Sequence, residues 1–221
     1  MPNWQKASAA TWKPAPRTRT RMTMSELFNP GYYTEEDLHG AGFRSLGHNV
    51  RIARNCVIIG IENIAIGNNV RIDGYSTLVA AGGHIRIGSY VHIGGGGFLS
   101  GGAGITLEDY AGLSQGVRLY SKTDDYSGAS MTNPTVPAEF TNCKSGAVHL
   151  GRHVIIGSGS VVLPGAQLGE GVAVGALSLV TKSLPAWGIY AGTPAKRIKN
   201  RDQGLLIAEE QLRARNTVQN S

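Results

Sequence analysis

The sequence carries an aliphatic beat of six that no single helix face can use. Ile66, Ile72 and Leu78 are followed by Ile87, Ile93 and Leu99, then by Leu107, Leu113 and Leu119; the same spacing returns at Leu150, Ile156 and Val162 and at Leu168, Val174 and Val180. Six residues at 3.6 per turn make about 600°, so these side chains would wander round a helix axis instead of lining one side of it. The beat fits a triangular coil of three short strands, each turning one aliphatic inward, with successive coils stacked into a solenoid. Counted from Leu46, the coils begin 20, 21, 20, 43 and 18 residues apart. Thirty-one glycines would otherwise suggest low complexity, but 41% of the residues are hydrophobic and the aliphatics keep phase. The glycines at expected corners, such as Gly67, Gly88, Gly151 and Gly157, therefore read as turn residues.

The 43-residue step is the irregular one. It leaves an insert after the third strand of its coil, "SKTDDYSGASMTNPTVPAEFTNCKSGA" at 121–147. Tyr126, Met131, Val136 and Phe140 within it argue for an ordered functional loop and not a linker, the alternative being a strap across a neighbouring subunit. Before the coils, 25–45 contains "SELF" and "YTEEDLHGAGF", acid-rich starts expected to form one or two short helices capping the open end of the stack. The coils span 46–190. Within 191–221, "RDQGLLIAEEQLRAR" is spaced for a helix packed beside the stack or on a neighbour.

The formal charge of +6 comes largely from one place. Residues 1–24 hold Lys6, Lys13, Arg17, Arg19 and Arg21 and no acid, and form an expected disordered basic tail. The remaining 16 basic and 15 acidic residues nearly cancel, which leaves no broad footprint for a nucleic-acid backbone. There is no signal-peptide pattern and no long apolar run, so a cytoplasmic protein is expected. Cys56 and Cys143, the two cysteines, then read as free thiols.

The coil beat together with "VIIGSGSVVLPGAQLGEGVAVGALSLV" (154–180), "VTKSLPAW" (180–187) and "YAGTPAKRIKNR" (190–201) resembles the hexapeptide-repeat acyltransferases. The resemblance covers 34–201 and implies an all-β, left-handed parallel β-helix assembled as a homotrimer with active sites between subunits. "SKTDDYSG" and "MTNPTVP" are similar to the sugar acetyltransferase subgroup, nearest the dTDP-4-amino-4,6-dideoxyglucose acyltransferases. That subgroup implies acetyl-CoA as acyl donor, no metal, and N-acetylation of a nucleotide-linked amino-deoxysugar for surface polysaccharide. O-acetylation of a sugar and a non-catalytic β-helix scaffold are the alternatives carried forward.

Sugar acetyltransferases of this kind place a catalytic histidine where the loop leaves the third strand. Here that position is Asp124, followed by Asp125. A sugar amine with a pKa of about 8 is partly neutral near neutral pH, whereas a hydroxyl needs a base worth about 10² to 10⁴ in rate, so the exchange of histidine for aspartate suits nitrogen better than oxygen. Asp124 and Asp125 are read as catalytic, binding the acceptor ammonium and taking its proton, against the alternative that both only cap the loop turn. His92, followed by the glycine run Gly94 to Gly97 that could open room for substrate, is the other candidate base. Ser114 and Tyr126 are expected to touch substrate, with a backbone N–H of Gly112, Leu113 or Ser114 as a candidate oxyanion donor. By the resemblance, Ser158 and Ala176 meet the pantetheine arm and Thr181, Lys182, Lys196 and Lys199 the phosphates of coenzyme A; a solvated basic end is the alternative for the lysines. Trp187 either stacks on adenine or closes the last coil. His84, His149 and His153 fall at different corners and do not suggest a metal site within one chain.

Overall fold

The structure is a computed structural model that describes residues 29–219, with side chains given up to 217. The expected basic tail and the "SELF" segment lie outside these residues. Strands of two to four residues run round a triangular solenoid and stack into three parallel sheets. The first face carries Ser45–Leu46, Ile64–Ile66, Ile85–Ile87, Ile105–Leu107, Val148–Leu150 and Gln167–Leu168. The second carries Arg51–Ile52, Arg71–Ile72, His92–Ile93, Gly112–Leu113, Ile155–Ile156, Ala173–Val174 and Gly188–Ala191, closed by the antiparallel Lys196–Asn200. The third carries Val57–Ile59, Thr77–Val79, Phe98–Ser100, Arg118–Tyr120, Val161–Val162 and Leu179–Val180.

Register follows the beat of six. Ile72 pairs with Ile93, Ile93 with Leu113, Leu113 with Ile156 and Ile156 with Val174. Because side chains alternate across a strand, this register turns the whole column inward, where all five are buried. Each such aliphatic removed from water contributes about 1.5–3 kcal/mol before entropy is counted. The long step does not disturb it: Leu107 pairs with Leu150 and Leu119 with Val162 across the insert.

Corners are tight for a steric reason. A β-carbon on Gly94 would lie 2.8 Å from the Gln115 nitrogen, and one on Gly157 would lie 2.4 Å from the Ala176 nitrogen. Those glycines are where one coil rests on the next.

Helix α1, Glu35–His39, buries Leu38 and begins with a reciprocal cap in which Thr34 and Asp37 exchange hydrogen bonds of 3.1 Å. The C-terminal helix α2, Leu205–Gln219, lies against the stack. Its Glu209 carboxylate receives Arg152, His153 (2.6 Å) and Arg213 (2.6 Å), while Asn216 donates to the Tyr90 hydroxyl at 2.6 Å. Among the described residues no helix is long and apolar enough to cross a membrane.

Candidate active site

The insert is an ordered extrusion with a closed base. Ser121 is fully buried, its hydroxyl donating to Ser100 O (2.7 Å) and receiving Ala103 N (2.8 Å). Gly146 N donates to Ser121 O at 2.9 Å, so the loop leaves and returns at one point. Lys122–Thr123 and Lys144–Ser145 form a short antiparallel ribbon above that base. Further out, Ala138–Phe140 make one 3₁₀ turn, and Met131, Phe140 and Tyr126 point to solvent, Tyr126 being 90% exposed.

The ribbon separates the two aspartates. Asp125 is buried and accepts from Ser127 N (3.0 Å), Ser127 Oγ (2.9 Å) and Ser130 Oγ (3.0 Å), with Lys144 Nζ at 4.0 Å. The backbone and hydroxyl donors of Ser127 hold its carboxyl below the usual range, with Ser130 adding to them. Its oxygens are occupied in shaping the loop. Asp124 is only partly buried, and its one hydrogen-bond partner among the described residues is the Cys143 thiol, which donates to Oδ1 at 3.5 Å.

His92 stands on the outer surface of the second face, between Arg71 on one side and Gly112 on the other in the same ladder. Its Nε2 lies 2.8 Å from Asp73 Oδ2 and the side chain is 48% exposed. Asp73 also receives Arg71 Nε (2.6 Å) and the Tyr32 hydroxyl (3.0 Å). Partial burial opposes its charge, but hydrogen bonds from Arg71, His92 and Tyr32 outweigh that and hold the carboxyl below its ordinary value. An ionised Asp73 can only accept, so Nε2 carries the proton in this contact and a neutral ring keeps its lone pair on Nδ1. Gly112, with no side chain, leaves a notch beside the imidazole bounded by Ile155. Gly94 and Gly97 of the glycine run do not make that room. Gly94 is packed against Gln115, and a β-carbon on Gly97 would meet Ile93 at 2.9 Å.

The oxyanion expectation needs correction. The N–H groups of Gly112 and Ser114 donate to Val154 O (2.8 Å) and Ile156 O (2.9 Å), so both are consumed by coil stacking. Ser114 offers its hydroxyl instead. Ser158 and Ala176 occupy equivalent corners of successive coils, and among the described residues their N–H groups have no backbone partner. The Ser158 hydroxyl donates to Gln115 Oε1 at 3.2 Å.

Thr181, Lys182, Lys196 and Lys199 are exposed near the closing strand pair, and none of the three lysines is ion-paired among the described residues. The bulge at Ile198 has a consequence here. Lys196 pairs with Ala191 and Lys199 with Ile189, which flank buried Tyr190, so the extra residue brings both lysines to one face. Trp187 lies over Gly171 in the last corner, and its N–H and C=O bond to Glu170 and Arg201; its place is that of a closing residue.

The remaining histidines are scattered. His84 packs on Gly104, His149 bonds Glu108 at 3.0 Å, and His153 bonds Glu209 while stacking on Tyr110 with ring centres 4.8 Å apart. Among the described residues no three metal-type side chains converge. Two clefts of about 710 and 530 Å³, one under α1 and one along the first face, contain none of the residues named above as candidates.

A curated relative, the dTDP-4-amino-4,6-dideoxy-D-glucose acyltransferase of Escherichia coli, is 46% identical over 178 residues, covering 80% of this chain and 93% of that protein. The chain belongs to the hexapeptide-repeat acyltransferases. Its solenoid is their left-handed parallel β-helix. Among solved structures, an aspartate-to-alanine mutant of AntD, an N-acyltransferase from Bacillus cereus, crystallised with dTDP and coenzyme A, superposes with a TM-score of 0.80 at 42% identity over 82% of this chain and 97% of that one. A variant of AntD in complex with dTDP-4-amino-4,6-dideoxyglucose and coenzyme A gives 0.81 at 41% identity over 84% and 97%. A hexapeptide-repeat acetyltransferase from Vibrio cholerae shares the fold at 19% identity, with a TM-score of 0.52 over 76% of this chain and 80% of that one. A scan against family models returned no match.

Sequence reasoning missed Asp73, Arg71 and Glu209 in this acyltransferase. The signal for the first two was present: one coil of 21 residues separates Arg71 from His92, so the face holding His92 also holds Asp73, two residues on from Arg71.

Proposed function

We propose that the enzyme transfers an acyl group, acetyl being the simplest, from coenzyme A to the amino group of a nucleotide-linked amino-deoxysugar. The observation that carries this reading is Asp124: a half-exposed carboxylate with one weak partner, set at the root of the extruded loop where an acceptor would arrive. The solved forms of AntD support it, since they include variants at one serine and at one aspartate ten positions further on. A serine and an aspartate so spaced occur once in this chain, as Ser114 and Asp124.

Asp124 would bind the acceptor as its ammonium; once one proton has passed to solvent, the lone pair of the neutral amine attacks the thioester carbon and Asp124 takes the second proton as the new bond makes the nitrogen acidic. The C–N bond forms, the C–S bond breaks, and coenzyme A departs as a thiolate that regains a proton. An amine already near its pKa asks less of the base than a hydroxyl does, which makes a carboxylate sufficient. Asp125 shapes the loop, Tyr126 offers an exposed aromatic to the acceptor, and the Ser114 hydroxyl faces the reacting end. His92, oriented by Asp73, is assigned to the acceptor side. The amides of Ser158 and Ala176 suit the pantetheine arm, and Lys182, Lys196 and Lys199, with Thr181, suit the phosphates.

A homotrimer in the cytoplasm completes the reading. The outward residues of the third face include Val57, Ile59, Phe98 and Tyr120, and Tyr75 and Leu177 project at one corner, 81% and 77% exposed. Apolar surface on this scale suits burial by further copies. Release of free thiol from acetyl-CoA is the test, with dTDP-linked 4-amino and 4-hydroxy sugars as acceptors. Turnover with the amine is expected; turnover confined to the hydroxyl sugar would establish O-transfer, for which an Escherichia coli K12 protein named for O-acetyl transfer in lipopolysaccharide biosynthesis, 31% identical over 147 residues, is the precedent.

A further inference from the structure

We propose that Cys143 is a positioning residue for Asp124, a role that rests on the reading of Asp124 given above. The antiparallel ribbon sets this up. Thr123 pairs with Lys144 and Lys122 with Ser145, so the next step outward brings Cys143 across from Asp124. The thiol donates to Oδ1 at 3.5 Å, and Oδ2 makes no hydrogen bond among the described residues.

The pair divides the carboxylate into a held oxygen and a free one. A thiol is a weak donor, so it fixes the side-chain rotamer while taking little from the basicity of the other oxygen. A hydroxyl or amide donor there would compete harder with an incoming ammonium. The contrast with Asp125 shows what stronger donors do: three bonds from Ser127 and Ser130 occupy both of its oxygens and leave it structural.

The charges facing this pair are few. Lys122 lies on the same ribbon and favours the thiolate of Cys143, Lys144 reaches toward Asp125, and Asp125 itself is turned into the loop. The hydrogen bond to Asp124, joined by slight burial and the charge of Asp124, pushes the Cys143 thiol up from its ordinary value, outweighing Lys122. At neutral pH Cys143 therefore stays protonated and able to donate.

Two measurements test this together. In acyl transfer to dTDP-4-amino-4,6-dideoxyglucose, Cys143→Ala is expected to lower kcat about tenfold with KM for acetyl-CoA unchanged, and Cys143→Ser to recover to within about threefold of wild type. Independently of turnover, carbamidomethylation of Cys143 by iodoacetamide at pH 7.5, followed by peptide mass spectrometry, is expected to run several times faster in Asp124→Asn, because the group that suppresses the thiolate is gone. Resolving the peptides keeps Cys56 out of the measurement. Wild-type kcat in Cys143→Ala, or alkylation unaltered by Asp124→Asn, overturns the inference while leaving the function intact. Full turnover by Asp124→Asn overturns the role given to Asp124 and this inference with it, whereas no turnover of the amino sugar by the wild-type enzyme overturns the function itself.

Discussion

The stacked coils and the extruded loop are held together by opposite means. In the coils one column, Ile72, Ile93, Leu113, Ile156 and Val174, is buried and interchangeable in kind; any aliphatic of similar volume serves the purpose. In the loop Tyr126, Met131 and Phe140 stay exposed, and cohesion comes from single polar contacts: Asp125 on its serines, Asn133 on Thr135, Ser121 at the base. The first region is insensitive to which residue is chosen and sensitive to volume. The second is the reverse, and that is where chemistry can be placed.

The sharpest way to break the contrast is at Asp124. Asp124→Asn is expected to lower kcat about 10² to 10⁴-fold with the melting temperature unchanged, read by thiol release and by calorimetry. If the coils are a volume-sensitive core, Leu113→Ala should cost about 2–5 kcal/mol, seen as a shift of the denaturation midpoint, while Leu113→Met costs under about 1.5.

Glu209 tests whether the last helix belongs to the polar or the apolar regime. Burial works against its charge, but the bond from His153 and the charges of Arg152, Arg213 and His153 prevail and hold its carboxyl below the ordinary value. A depressed folded-state pKa gives stability that is present above the unfolded value, near 4.3, and fades as pH falls through the lower folded one. Glu209→Gln should therefore lose about 2 kcal/mol at pH 7, and the two melting curves should converge in acid. The smallest effect is expected at the bulged strand: Lys196→Ala and Lys199→Ala should each raise KM for acetyl-CoA about threefold to tenfold, less so at high salt, with kcat unchanged.

The coils were legible because burial repeats. Leu107 to Leu150 could be matched across 43 residues by phase alone, and the structure pairs those two residues. The different duties of Asp124 and Asp125 were not legible, because adjacent residues on a ribbon face opposite ways and their partners, Cys143 for one and Ser127 and Ser130 for the other, depend on how the loop folds back. Two of the three amides offered as oxyanion donors, those of Gly112 and Ser114, are taken for a general reason. Amides that look available in a linear reading of "YAGLSQG" are the ones a parallel stack uses to bond the next coil.

The return of the loop to its own starting point, Gly146 bonding Ser121, separates two evolutionary problems. Everything between those residues can lengthen, shorten or change its side chains without moving a single coil, since the neighbouring strands pair across it. If the loop holds the acceptor as proposed, its sequence can change while the stack beneath it stays as inherited.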